Sequence, residues 1–103
     1  MCGIIGIVGM APVTARLVAT LKRLEYRGYD SAGVAVVLPE GIERRRSVGK
    51  IASLEDKLRE EPLIGFTGIG HTRWATHGEA SERNAHPHTA EGVAIVHNGI
   101  IEN

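Results

Sequence analysis

Cys2 is the most informative residue, because it becomes the first residue of the chain once Met1 is removed, as is usual when a small residue follows. A thiol and a free α-amine then belong to one residue. The reference pKa of an α-amine is about 7.7 to 8.0, so near neutral pH it can act as a general base for the thiol. One residue can thus supply both nucleophile and base. The alternative is an incidental second residue, since catalytic cysteines elsewhere need a separate histidine.

Two further segments carry groups that suit acyl-transfer chemistry. Asn98-Gly99 offers a side-chain amide and a backbone N–H that can converge on an oxyanion, each contributing about 2.7 to 4 kcal/mol of transition-state stabilisation. The same dipeptide is also a common signal for a tight turn. Arg73, beside Trp74, is either a surface charge or a bidentate clamp for a carboxylate.

The histidines allow a metal site as an alternative; they are His71, His77, His86, His88 and His97. The single cysteine and the lack of a helical His-x-x-x-His pair speak against zinc. A dyad of Cys2 with one histidine stays open, because the sequence does not show which side chains are close. We expect no metal and no cofactor, and we interpret most of these histidines as hydrogen-bonding loop residues. The non-enzymatic alternative is a small module whose histidine loop binds a metal or a partner.

Glycine and arginine stretches do not indicate nucleotide binding. Gly68-Ile69-Gly70 would open a dinucleotide fingerprint, but Arg73 stands where its last glycine is needed. Gly49-Lys50 fits a phosphate-binding loop only in part, because Arg44 replaces the upstream glycine. The arginine run over residues 44–46 is interpreted as a solvated strand face.

A strand and a helix are predicted to follow Cys2. Residues 3–9 form an apolar run punctuated by glycine, which is typical of a buried strand, and we expect it to be central in its sheet. After Pro12, apolar residues recur at helical spacing, which predicts a helix to about Tyr26 that Gly28 ends. The apolar face consists of Val13, Leu17, Leu21 and Leu24.

A hairpin and a second helix come next. Residues 33–38 and 42–48, joined by the turn composition Pro39-Glu40-Gly41, predict a β-hairpin. Ser53 marks the expected start of a short helix, which Pro62 stops.

The last third of the chain predicts two strands around a loop. The strands are expected at residues 65–70 and 92–96, and the irregular polar loop over residues 72–89 is of a length that is usually functional. Because strands and helices do not alternate regularly, the order favours an α+β layered fold over a doubly wound sheet. The chain stops directly after a predicted strand, so we expect the domain to continue beyond it.

Composition limits the classes of partner. With 12 basic and 12 acidic residues, the chain has no general attraction to nucleic acid or to an anionic membrane. The N-terminus lacks the basic flank of a secretory signal, and its apolar run is too short to span a bilayer. A single cysteine excludes an intramolecular disulfide and favours a reducing cytoplasm.

Taken together, five segments resemble a known family. The start of the chain is similar to the class II glutamine amidotransferases, which use an N-terminal cysteine. The other segments resemble, within that class, the glucosamine-6-phosphate synthase family. The segments are residues 1–6 (MCGIIG), 24–33 (LEYRGYDSAG), 71–78 (HTRWATHG), 84–88 (NAHPH) and 97–103 (HNGIIEN).

The resemblance implies a role for each matching position. Cys2 would attack the side-chain amide of L-glutamine, with its own α-amine moving the proton, to give a γ-glutamyl thioester and ammonia. Asn98 and Gly99 would form the oxyanion hole. Arg73 would grip the α-carboxylate of glutamine.

The remaining implied residues surround the substrate. Thr76, His77 and Gly78 would lie on a loop that folds over glutamine, Trp74 would help to gate the ammonia exit, and Arg27 would sit near the nucleophile. An acidic residue beyond the chain's end would hold the α-amino group.

For the fold, the resemblance implies a four-layer αββα sandwich of the N-terminal-nucleophile hydrolase type, C-terminally incomplete here. Residues 1–103 would be the N-terminal part of the glutaminase domain, and the isomerase domain that receives ammonia for fructose-6-phosphate would be absent. The parent enzyme is expected to be a cytoplasmic homo-oligomer. The alternatives are the glutaminase portion of an amidophosphoribosyltransferase and an inert fragment.

Overall fold

Six strands and two helices make up the parts of the chain that the computed structural model describes, which are residues 3–25, 28–74, 85–90 and 93–96. Four strands form an antiparallel sheet in the order β1-β4-β2-β3, and the short strands β5 and β6 pair with each other. The predicted α+β class is therefore confirmed. In chain order the elements are β1 (Gly3–Val8), α1 (Thr14–Arg23), β2 (Ser31–Leu38), β3 (Gly41–Val48), α2 (Ile51–Glu60), β4 (Thr67–Arg73), β5 (His88–Ala90) and β6 (Val93–Ile95).

Helix α1 confirms the predicted apolar face. Val13, Leu17 and Leu21 are completely buried, and each such aliphatic side chain contributes about 1.5 to 3 kcal/mol by leaving water. The helix ends earlier than predicted, at Arg23, because the N–H of Leu24 bonds back to the carbonyl of Leu21 at 3.0 Å. Gly28 lies beyond this end with φ of +81°, so its positive φ belongs to the connection to β2 and not to the helix C-cap, which is Leu24.

The hairpin of β2 and β3 confirms the second prediction. Leu38 is opposite Gly41 across the turn, and Gly41 has a φ of +135°, a conformation that favours glycine. Ala32, Val34 and Val36 of β2 join the side chains of both helices in one core, so α1 and α2 cover the same face of the sheet.

The expected central position of β1 is wrong for the described sheet, where β1 lies at one margin and β4 and β2 lie inside. Ile4 and Val8 of β1 are 48% and 84% exposed. The glycine pattern has another physical reason, since a Cβ atom on Gly3 would lie 2.6 Å from the side chain of Leu24 and 2.8 Å from Thr72 Oγ1. Close packing, and not a central position, explains that glycine.

Ser53 is also not the start of the second helix. Helix α2 begins at Ile51, with Lys50 as its N-cap and no capping bond from the Lys50 side chain. The backbone N–H of Ile51 instead donates to the hydroxyl of Tyr29 at 2.8 Å. This earlier start makes Ile51 part of the helix, and Ile51 and Leu54 are both completely buried on its inner face.

Strand β4 and the start of β5 both intrude on the predicted loop. β4 extends to Arg73, and β5 begins at His88, so both ends of the expected loop are strand. On the sheet face away from the helices, Gly33 approaches the carbonyl of His86, and Ala94 of β6 lies near Ile69. Residues of the ranges 85–90 and 93–96 thus cover part of this second face. Neither helix in the described ranges has the length and apolar character needed to cross a membrane.

Candidate active site

One end of the sheet gathers the ends of four strands. Gly3 at the start of β1 is opposite Thr72, and Arg73 at the end of β4 is opposite Ser31 at the start of β2. Ser31 is in turn opposite Val48 at the end of β3. The N–H of Gly3 donates to Thr72 Oγ1 at 3.1 Å in a buried hydrogen bond, which fixes the start of β1 next to the end of β4.

Arg73 is the last residue of β4 at this end of the sheet, and Trp74 follows it. The carbonyl of Arg73 accepts a hydrogen bond of 2.7 Å from the N–H of Asp30. The Trp74 side chain is half exposed and lies against Gly28, where a Cβ atom would be 3.2 Å from the nearest ring carbon. The structure therefore brings Arg73 and Trp74 together with the segment over residues 28–30, which belongs to another of the family-like segments.

An open cleft of about 430 Å³ lies beside the Trp74 ring; it is lined by Glu25, Gly28, Tyr29, Gly49, Lys50 and Trp74. Burial raises the pKa of Tyr29, and the charge of Glu25 and its hydrogen bond to the hydroxyl raise it further, whereas the bond from Ile51 N–H acts in the opposite direction. The phenol is therefore neutral near pH 7, and its oxygen can accept from Ile51 while its proton faces Glu25.

Three histidines stack on the face of the sheet away from the helices. The ring of His71, which is completely buried, stacks on His86 with centroids 4.1 Å apart, and His86 meets His88 at 4.4 Å. Burial lowers the pKa of His88, and the positive charges of Arg46, Arg44 and Arg73 lower it further. Within the described ranges, no group of three His, Cys, Asp or Glu side chains is arranged to hold a metal ion.

Two arginines of β3 hold this histidine segment on the sheet, so the interpretation of residues 44–46 as a solvated face is wrong for them. Arg44 Nη1 donates to the carbonyl of Pro87 at 3.3 Å, and Arg46 Nη1 donates to that of Ala85 at 3.1 Å. Their alternation with Arg45 along the strand puts them on the face that residues 85–88 cover. Arg45 points to the other side, where it bonds to Glu61.

Gly33 is the position where a small substitution should loosen this arrangement most. A Cβ atom there would lie 2.0 Å from the carbonyl oxygen of His86 and 3.0 Å from the Arg46 side chain. We expect Gly33→Ala to lower the free energy of unfolding by about 1 to 3 kcal/mol in urea denaturation, because backbone must move. Gly6→Ala is the matched control, since its Cβ would meet only the Ile69 side chain at 3.8 Å. Equal effects of the two substitutions would contradict the close approach at Gly33.

The other predicted site residues lie outside the described residues; they are Cys2, Arg27, Thr76, His77, Gly78, Asn98 and Gly99. Sequence reasoning missed Thr72, Gly28 and Tyr29 as individual contributors. Gly28 and Tyr29 fall inside a segment that resembles the family, which is the only signal that pointed to them. The contact of Tyr29 with Ile51 spans 22 residues and has no local pattern.

Comparison with known proteins finds similar sequences and similar folds, although no protein-family model matches the chain. Glutamine–fructose-6-phosphate aminotransferases (isomerizing) match all 103 residues, at 69% identity in Rhizobium meliloti (strain 1021) and in Caulobacter vibrioides, and at 65% in Bradyrhizobium diazoefficiens. The chain corresponds to the N-terminal part of these aminotransferases. It spans 17% of the length of each of these relatives.

Solved amidotransferases share the fold of this chain. The glutamine phosphoribosylpyrophosphate amidotransferase of B. subtilis, complexed with ADP and GMP, superposes with a TM-score of 0.69 at 24% identity, over 84% of this chain and 18% of that one. The solved structure of an allosteric regulatory enzyme of purine biosynthesis gives the same TM-score at 25% identity, with the same coverage. These neighbours are N-terminal-nucleophile amidotransferases, so the predicted fold type is confirmed.

Proposed function

We propose that this chain supplies the nucleophile and one side of the glutamine site in a glutamine–fructose-6-phosphate aminotransferase. The observation that carries the proposal is the 69% identity over all 103 residues to such enzymes. The pairing of Gly3 with Thr72 supports it, because Cys2 is joined to Gly3 and Arg73 to Thr72. Consecutive Cα atoms are about 3.8 Å apart, so covalent geometry limits how far Cys2 and Arg73 can lie from the paired residues Gly3 and Thr72.

In the proposed mechanism, Cys2 Sγ attacks the side-chain carbonyl carbon of glutamine while the α-amine of Cys2 takes the thiol proton. The resulting oxyanion accepts hydrogen bonds from the side-chain amide of Asn98 and the N–H of Gly99. The carbon–nitrogen bond then breaks, and the departing nitrogen takes the proton back to leave as ammonia. Water hydrolyses the γ-glutamyl thioester to glutamate and frees the thiol.

The other proposed residues orient the substrate. Arg73 binds the α-carboxylate of glutamine, which suits a planar guanidinium. Thr76, His77 and Gly78 close over the bound glutamine. Trp74 helps to gate the path by which ammonia leaves, and Arg27 sits near the nucleophile.

The remainder of the parent enzyme completes this reaction. We propose that residues 1–103 are the N-terminal part of its glutaminase domain, and that a separate isomerase domain accepts the ammonia for fructose-6-phosphate, giving glucosamine-6-phosphate. Because the thiol of the proposed nucleophile must stay reduced, we also propose the reducing cytoplasm as its compartment. We further propose that the parent enzyme is a homo-oligomer.

A product assay on the full-length parent protein tests the proposal against its nearest rival. We expect glutamine with fructose-6-phosphate to yield glucosamine-6-phosphate and glutamate, and glutamine with phosphoribosyl pyrophosphate to yield no phosphoribosylamine. The rival is favoured only by the fold similarity at 24% identity. Formation of phosphoribosylamine without glucosamine-6-phosphate would overturn the proposed acceptor while leaving the glutaminase step in place.

A further inference from the structure

The hydroxyl of Tyr29, from a distant segment, caps the N-terminus of α2. The N–H of Ile51, the first residue of α2, donates to it at 2.8 Å, and the N-cap residue Lys50 provides no side-chain bond. Ile51 is completely buried, so its N–H would otherwise be cut off from water at a cost comparable to a lost hydrogen bond. The start of α2 therefore depends on where Tyr29 lies.

The segment that contains Tyr29, residues 28–30, also packs against the Trp74 ring through Gly28. Gly28 directly precedes Tyr29 and has φ of +81°, and a Cβ atom there would lie only 3.2 Å from the nearest carbon of the indole. Asp30 directly follows Tyr29, and its N–H donates to the carbonyl of Arg73 at 2.7 Å. The carbonyl of Asp30 accepts from the N–H of Gly49 at 2.8 Å. Residues 28–30 are thus clamped between the end of β4 and the residues that precede α2.

We propose that Tyr29 is a positioning residue for glutamine binding: by holding the start of α2, its hydroxyl fixes residues 28–30 and so sets the place of Arg73 and Trp74. The inference rests on the proposed function, in which Arg73 binds the substrate carboxylate. Tyr29 itself acts through this clamp, since its oxygen is already engaged by Ile51 and Glu25.

Tyr29→Phe in the full-length protein tests this, because it removes the hydroxyl and keeps the ring. We expect KM for glutamine to rise about two- to tenfold, the factor that corresponds to one lost hydrogen bond, while kcat changes less. Trp74 is the one tryptophan of this chain, so its emission can be isolated as the difference from a Trp74→Phe protein. We expect that emission to move to longer wavelength in Tyr29→Phe, because the Trp74 ring loses its contact with Gly28 and becomes more exposed to water.

Thr14→Val is the matched control, because it also removes one hydroxyl that joins a helix to another segment. Thr14 Oγ1 donates to the carbonyl of Leu63, and the neighbouring Val13 bonds to Gly65, before β4 begins and so far from Arg73. We expect it to lower stability without changing KM or the emission. Wild-type KM and emission in Tyr29→Phe, or an equal rise of KM in both variants, would overturn the inference. A wild-type parent that does not hydrolyse glutamine would instead refute the proposed function, and the emission shift would still decide whether Tyr29 positions Trp74.

Discussion

Cys2→Ala is expected to lower the rate of glutamine hydrolysis by the parent enzyme on the order of 10³- to 10⁶-fold, the range found when a covalent nucleophile is deleted. The physical reason is that no other group in the proposed mechanism can form the acyl-enzyme bond. The measurement is glutamate release under saturating glutamine, with ammonia quantified in the same samples.

A binding measurement separates this chemical effect from a folding defect. Titration calorimetry with L-glutamate, which keeps the α-carboxylate of glutamine and is not consumed, should give a similar Kd for wild type and Cys2→Ala, because the proposed carboxylate clamp is unchanged. Cys2→Ser should keep at most a small residual rate, since a hydroxyl is far harder to ionise near neutral pH than a thiol. Undiminished hydrolysis by either variant would remove Cys2 from the mechanism.

Arg73→Gln is expected to have the second-largest effect, raising KM for glutamine by on the order of 30-fold or more. Truncating one partner of a desolvated charge pair costs about 2 to 5 kcal/mol, because the substrate carboxylate loses its counter-charge. Arg73→Lys should recover only part of this, since an ammonium group lacks the planar fork of the guanidinium.

The sharper readout uses 4-aminobutanamide, which keeps the amide and amine of glutamine but lacks the α-carboxylate. The wild-type enzyme should discriminate strongly against this compound, whereas Arg73→Gln should treat it almost like glutamine. Arg45→Gln is the control, since Arg45 bonds to Glu61 on the helix side of the sheet and should leave KM unchanged. Undiminished discrimination in Arg73→Gln would show that another group binds the carboxylate.

The elements that the sequence predicted well are those whose signals are local. The face of α1 follows from the spacing of Val13, Leu17 and Leu21, and every one of these side chains is buried. The hairpin follows from the turn at residues 39–41, where Gly41 takes a positive φ. Both signals lie within one element or one turn, so no tertiary contact is needed to read them.

The elements that the sequence misplaced depend on contacts between distant residues. Helix α2 starts at Ile51, and not near Ser53, because its first N–H is bonded to Tyr29 from another segment. Strand β4, which starts more than sixty residues later, pairs on one side with β1 and on the other with β2, so β4 and not β1 is internal in the described sheet. Periodicity does not encode strand order, so neither outcome was available from local patterns.

In the candidate site, too, the sequence indicated individual residues but not the contacts between distant segments that support them. Resemblance to the family selected Arg73 and Trp74, and the structure brings both to the end of the sheet where β1 begins. The supporting contacts of Gly28 with Trp74 and of Arg46 with Ala85 could not be foreseen, because they join segments about forty residues apart. Side chains assigned to a solvated face, Arg44 among them, instead bind the histidine segment.

The most direct test of the central claim compares the same parent protein before and after its α-amine is freed. An N-terminal extension that ends immediately before Cys2 and is removable by a site-specific protease gives both forms, and intact mass identifies each. We expect glutamine hydrolysis only after cleavage, and we expect the naturally processed enzyme to lack Met1. Full hydrolysis by the uncleaved form, with its Cys2 nitrogen held in a peptide bond, would contradict the account.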